Sequence, residues 1–221
     1  MNYAGIIFDF DGVLLESEHV ENAKLAEYLT RLGHPTSAAD SMANFMGLSG
    51  THFTDAIEQW IGRPLPQDFA ESRAVEKEES LARGLSPVAG AVDFVRSLPR
   101  DVPRAIASSS TKYWIRTHLD HLKIRDRFEP MIFSGHEDVS NGKPAPDVYR
   151  HAASALGLDI RDMVILEDSP VGVQGALASG AEVIGLCAGL HCAADHSDRL
   201  RSLGVRKIAS DFDEVRRLIG L

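Results

Sequence analysis

Apolar residues gather in short runs separated by longer amphipathic stretches. The runs fall at residues 4–8, 104–107, 131–133, 163–166, 182–186 and 205–209, all of strand length. Between the later runs, residues 92–98, 147–156 and 171–179 repeat their apolar positions with helical spacing. Short strands joined by helices of this length require crossover connections, which predicts an α/β domain with a parallel sheet of about six strands.

Residues 17–83 break the rhythm, because they carry only helical patterns. Val20, Ala23, Ala26, Leu29 and Leu32 recur on one face before Gly33, and Phe53, Ile57, Trp60 and Ile61 do the same before Gly62. The charged stretch at 71–79 reads as a solvated helix face. The expected division is an α/β core from residues 1–16 and 84–221, interrupted by an all-helical insert at 17–83. No repeat and no low-complexity linker is visible.

Composition narrows the partners. With 221 residues and 44% apolar content the chain can bury a substantial core. Its 23 Lys and Arg stand against 32 Asp and Glu, a net charge of −9, with no basic stripe for a phosphate backbone, so a nucleic-acid partner is not expected. The first apolar run stops at Asp9, too short for a signal peptide or a membrane span, and a soluble cytoplasmic protein with no membrane partner is expected. Cys187 and Cys192, with His191 between them, match no thioredoxin or zinc spacing and read as reduced thiols. An acidic chain can still take an anionic ligand if a metal supplies local positive charge.

Ligands of open parallel sheets bind beyond the carboxyl ends of the strands, so the residues after each run carry the functional signal. Asp9 and Asp11 follow the first run, Ser108 to Ser110 the second, Lys143 lies in the loop after the third, and Glu167 and Asp168 follow the fourth. Each has an ordinary explanation on its own. Asp-x-Asp recurs at Asp211 and Asp213, where it reads as the start of the last helix. Serines after a strand serve turns and caps, Lys143 alone is a surface lysine, and Glu167-Asp168 before Ser169-Pro170 can serve a helix start. Four such groups at four successive strand ends are a different matter. Carboxylates suit the oxygen octahedron of Mg2+, while a hydroxyl and an ammonium suit the oxygens of a transferring phosphoryl group.

These segments resemble the haloacid dehalogenase superfamily, in particular its β-phosphoglucomutase-like and sugar-phosphate phosphatase group. Phe8-Asp9-Phe10-Asp11-Gly12-Val13 is similar to the first motif, Ala107-Ser108-Ser109-Ser110 to the second, Gly142-Lys143-Pro144 to the third and Leu166-Glu167-Asp168-Ser169-Pro170 to the fourth. The resemblance implies a Rossmann-like parallel sheet with an inserted helical cap. It also implies that Asp9 is a nucleophile forming an aspartyl phosphate, that Asp11 is the general acid and base, and that Ser108 and Lys143 hold the phosphoryl group. Asp9, the Asp11 carbonyl and Asp168 would bind Mg2+, with Glu167 a ligand directly or through another group. The Lys143–Pro144 bond is a candidate for the cis form.

Within the superfamily, dehalogenases lack the second aspartate, so Asp11 argues against carbon–halogen cleavage. Phosphonate hydrolases use a cap lysine, and no lysine occurs between Lys24 and Lys77. Phosphoglucomutases grip a second phosphate with a basic first cap loop, whereas residues 46–52 contain neither Lys nor Arg, which favours water as the acceptor and leaves a mutase as the alternative. A receiver-type phosphoacceptor or binding module also uses acidic residues around Mg2+, but has no need of the insert or of Asp11. The expected partner is a small phosphorylated metabolite, a sugar, sugar-acid or polyol phosphate, with Ser49, His52 and Arg73 as specificity candidates.

Overall fold

Residues 5–8 run straight through the interior as β1 (Gly5–Phe8), with every side chain buried, in a computed structural model that describes all residues of the chain except Gly47 and Ser49. Four helices follow: α1 (Ser17–Arg31), α2 (Ala38–Phe45), α3 (Gly50–Ile61) and α4 (Phe69–Arg83). The chain then alternates through α5 (Ala91–Ser97), β2 (Arg104–Ser108), α6 (Lys112–Leu122), β3 (Ile132–Ser134), α7 (Asp147–Ala155), β4 (Met163–Glu167), α8 (Pro170–Ser179), β5 (Glu182–Leu186), α9 (His196–Ser202), β6 (Lys207–Ala209) and α10 (Phe212–Ile219). Two compact units result, one from Met1–Glu16 with Leu85–Leu221 and one from Ser17–Gly84.

In the first unit the six strands lie in the order β3-β2-β1-β4-β5-β6, all parallel. This is the Rossmann-like α/β sheet expected from the alternation of runs and helices. Phe8 pairs with Ile106 of β2 on one side and Leu166 of β4 on the other, so β1 stands where the strand order reverses. A crevice opens at the carboxyl ends of strands at such a switch point. Strands covered on both faces can be apolar on both, and the central residues of these strands are, with polar residues confined to their ends. One face packs Ile7, Ala105 and Ile165 against Val148, Tyr149 and Ala152 of α7 and Val173 and Ala176 of α8. On the other, Phe8 meets Phe94 and Phe128 edge-on, with ring centroids 6.1 and 5.5 Å away.

Local chemistry sets the helix starts that matter for the site. Thr111 caps α6 by accepting from the Trp114 N–H at 3.3 Å, and Ser169 caps α8 by accepting from the Gly172 N–H at 3.0 Å, with Pro170 next in line. The second Asp-x-Asp is also a cap, since Asp211 accepts from the Glu214 N–H at 2.7 Å and opens α10.

The second unit closes around its own core of Leu25, Tyr28, Leu29, Phe45, Ile57, Ile61 and Phe69. Trp60 does not join it: 40% exposed, it packs edge-on against Phe45 and donates from Nε1 to Thr36 Oγ1 at 3.0 Å. Among the described residues no helix is long and apolar enough to cross a membrane.

Candidate active site

Asp9 continues β1 by one residue, its N–H bonded to the Leu166 carbonyl at 2.9 Å, so its carboxylate emerges at the central carboxyl edge of the sheet while staying 6% exposed. The Lys143 ammonium reaches it from the loop after β3, donating to Asp9 Oδ1 at 2.6 Å and to Glu167 Oε1 at 2.7 Å. Gly142 lets the loop approach the Gly135 carbonyl, where a Cβ would lie 3.3 Å from the oxygen. The Lys143–Pro144 bond is cis.

Glu167, at the end of β4, is bonded through both oxygens. Oε1 also accepts from the Tyr149 hydroxyl at 2.8 Å, and Oε2 accepts from the Ser169 N–H and hydroxyl at 2.9 and 3.1 Å. A side chain on Gly172 would fall 1.7 Å from Oε1, so the carboxylate sits in a slot that only glycine leaves open. Asp168 is bonded unevenly. Its Oδ2 lies 2.8 Å from His191 Nε2, its carbonyl accepts from His196 Nε2 at 2.7 Å, and its Oδ1 is buried without a hydrogen-bond partner among the described residues.

Asp9, Glu167 and Asp168 bring carboxylate oxygens within 4.8 Å of one another. The Lys143 ammonium offsets the charge of Asp9 and Glu167 directly. Burial, reinforced by the neighbouring carboxylates, pushes Asp9 and Asp168 well above the usual carboxylate range. Burial pulls the other way on Lys143, but the Asp9 and Glu167 carboxylates outweigh it and hold the ammonium charged, well above its ordinary value. A group of oxygen donors short of positive charge, with one buried oxygen lacking any partner, fits a hard divalent cation.

Asp11 is held beside this group rather than in it. Its Oδ2 accepts from Ser110 Oγ at 2.6 Å and, as a long contact of 3.5 Å, from Ser108 Oγ, while Trp114 Nε1 donates to Oδ1 at 3.0 Å. Ser108 Oγ in turn accepts the Ser110 N–H at 3.0 Å. The chain turns away at Gly12, whose φ of +78° and lack of a side chain both matter, because a Cβ there would stand 2.2 Å from Asp168 Oδ2.

All six core residues singled out in the sequence therefore lie at one edge of the sheet. Ser110, read in the sequence with Ser108 and Ser109 at the end of the second run, bonds Asp11, whereas Tyr149, Trp114, His191 and His196 contact the group without having been singled out as site residues. Cys192 itself is a free thiol whose sulfur lies 3.4 Å from His191 Nε2, in a second group with His196 whose ligand atoms are within 4.8 Å. Of the specificity candidates, Ser49 lies outside the described residues, His52 is exposed on α3, and Arg73 on α4 is paired with Glu76.

Residues 6–186 match the model of a protein family described as haloacid dehalogenase-like hydrolase. A solved haloacid dehalogenase family hydrolase from Deinococcus radiodurans R1, with bound phosphate and sodium, superposes with a TM-score of 0.88 at 27% identity, covering 99% of this chain and 96% of its own. The fructose-1-phosphate phosphatase YqaB of Escherichia coli (strain K12) is 29% identical over 186 residues, 82% of this chain and 95% of that protein. Hexitol phosphatase A of the same organism is 29% identical over 195 residues, 83% of each chain. The family match spans most of the sequence and all four strand-end groups, and the chain belongs to the haloacid dehalogenase-like hydrolase family as an enzyme of hydrolytic type.

Proposed function

We propose that this hydrolase is a Mg2+-dependent phosphatase of small phosphomonoesters that works through a phosphorylated Asp9. The observation that carries the reading is the 2.6 Å pairing of a buried Asp9 with Lys143, two residues before an Asp11 anchored by its own set of donors.

Asp9 attacks phosphorus, and the ester oxygen leaves with a proton from Asp11. Water then attacks the aspartyl phosphate, gives its proton to Asp11 and releases inorganic phosphate, restoring Asp9. Lys143 and Ser108 donate to the non-bridging phosphoryl oxygens, and their charge and dipole are in place before the reaction. Asp9, Asp168 and the Asp11 carbonyl would hold Mg2+, which supplies the positive charge that lets an acidic site accept a phosphate. Glu167, with both oxygens engaged, holds Lys143 and the start of α8.

The relatives named for fructose 1-phosphate and hexitol phosphates point to a polyhydroxylated ester, a sugar, sugar-acid or polyol phosphate. We assign selectivity among these to the helical insert, with His52 and Arg73 as its described candidates. Mutase transfer is disfavoured because residues 46–52 lack the Lys or Arg that would retain a bisphosphate. The test is phosphate release from a broad panel of phosphomonoesters with Mg2+, before and after exhaustive chelation. Release from none of them, or full activity without metal, would refute the reading.

A further inference from the structure

Two imidazoles, His191 from the segment between β5 and α9 and His196 at the start of α9, converge on Asp168. His191 Nε2 lies 2.8 Å from Asp168 Oδ2, with the two side chains 1% and 3% exposed, and His196 Nε2 lies 2.7 Å from the Asp168 carbonyl. A carboxylate that binds a cation is ionised and, like a carbonyl, only accepts, so with Asp168 as a metal ligand Nε2 carries the hydrogen in both rings.

The position of His191 is fixed by its surroundings. A Cβ on Gly189 would lie 2.4 Å from His191 Cε1, and one on Gly12 would lie 3.0 Å from the same atom, so the ring fills a slot between two glycines. The buried Glu16 carboxylate fastens that segment by accepting the Leu190 N–H at 3.1 and 3.2 Å. The two oxygens of Asp168 are therefore unequal: Oδ2 is engaged, and Oδ1 is buried with no hydrogen-bond partner among the described residues.

A cation at this site meets a carboxylate with one oxygen to give. Mg2+ takes about six ligands at roughly 2.0–2.1 Å, whereas Ca2+ takes about 6–8 at roughly 2.3–2.6 Å and readily fills its larger shell with carboxylates bound through both oxygens. We infer that His191 is a metal-selectivity residue: by occupying Oδ2 it keeps Asp168 a one-oxygen ligand and so favours Mg2+ over Ca2+. Glu167 has no spare oxygen either, so neither acidic residue at the end of β4 can chelate. The inference rests on the reading that Asp168 binds a divalent cation, and not on which ester is hydrolysed.

Titration calorimetry of the full chain with Mg2+ and, separately, Ca2+ tests it in wild type, His191→Leu and His191→Gln. Loss of the donor in His191→Leu should weaken Mg2+ binding roughly ten- to a hundredfold, the usual cost of removing a group that orients a ligand, while Ca2+ binding holds or tightens. His191→Gln, which keeps a side-chain N–H, should recover most of the discrimination. Equal weakening of both metals, or no change in either, would overturn the inference, as would wild type that binds neither. If His191→Leu does not melt cooperatively, His191→Phe fills the slot without the donor and replaces it. Zn2+ binding that depends on Cys192 and displaces His191 from Asp168 would also overturn it, by making the imidazole a ligand. Because binding is the readout, a protein that shows the shift but cleaves no phosphate ester loses only the phosphatase reading, and an active phosphatase without the shift loses only this one.

Discussion

The Trp114 indole donates from Nε1 to Asp11 Oδ1 at 3.0 Å, joining the first turn of α6 to the residue three positions after β1. Trp114 is 3% exposed, and the Thr111 cap fixes the turn that carries it. The bond holds one carboxylate oxygen while Ser110 holds the other. A general acid works only when aimed at the leaving oxygen, so Trp114 acts through Asp11 as a positioning residue. Trp114→Phe keeps a ring and removes the donor; a hydrogen bond to a charged group is worth about 1.5–3 kcal/mol, so kcat/KM for a sugar or polyol phosphate should fall roughly ten- to a hundredfold. For p-nitrophenyl phosphate, whose leaving group needs no proton, kcat/KM reports the step that forms the aspartyl phosphate and should stay near the wild-type value. Equal losses on both substrates would mean that Trp114 only supports the fold.

Asp9 and Asp11 should separate cleanly by substitution. Asp9→Asn removes the nucleophile and should abolish turnover, whereas Asp11→Asn leaves the nucleophile and should cost on the order of 10²–10⁴-fold, the worth of a general acid and base. Intact-mass analysis after acid quenching should find a phosphate adduct on wild type and none on Asp9→Asn. An adduct on Asp9→Asn would place the nucleophile elsewhere.

All six strands were legible because a buried parallel strand is apolar on both faces, and the runs at 163–166 and 182–186 end within a residue of β4 and β5. The last run is longer than β6 because Val205 and Arg206 precede the pairing that starts at Lys207. The polar residues after each strand could be read for the same reason, since a carboxylate at the end of an apolar run has no part in the core. Trp114, Tyr149 and His191 could not. Their side chains are buried, so in sequence they look like core residues, and only the fold shows that each turns a polar atom to a carboxylate. Thr111 and Ser169 were hidden similarly, because a hydroxyl before a helix reads as a cap whether or not a site depends on it.

Gly172 should tolerate no side chain. A Cβ would sit 1.7 Å from Glu167 Oε1, and Glu167 is fully buried with both oxygens bonded to Lys143, Tyr149 and Ser169, so it has nowhere to retreat. Overpacking of this kind costs about 1–3 kcal/mol. Gly172→Ala should therefore lower the melting temperature and, by shifting Lys143, reduce kcat more than an equally destabilising change elsewhere. A variant with wild-type activity and stability would show that Glu167 moves freely.

His118, one helical turn after Trp114, ties stability to pH. It is wholly buried, packs edge-on against the Trp114 indole at 4.2 Å between centroids, and neither ring nitrogen has a hydrogen-bond partner among the described residues. Burial lowers its pKa from 6.5 to about 4, the nearby Asp11 carboxylate only partly opposing the effect. The unfolded chain therefore binds a proton here that the folded chain refuses, throughout the interval from about pH 6.5 down to about pH 4. Its contribution is fully present above the upper limit and is lost as the pH falls through the interval. Replacing an unsatisfied buried polar group by an apolar one removes both the acid sensitivity and a desolvation cost. His118→Leu should thus melt at or above the wild-type temperature at pH 7, and its melting temperature should decline less steeply between pH 6.5 and pH 4. Melting curves taken across that interval decide the point: parallel declines in the two proteins would show that His118 takes up its proton without unfolding.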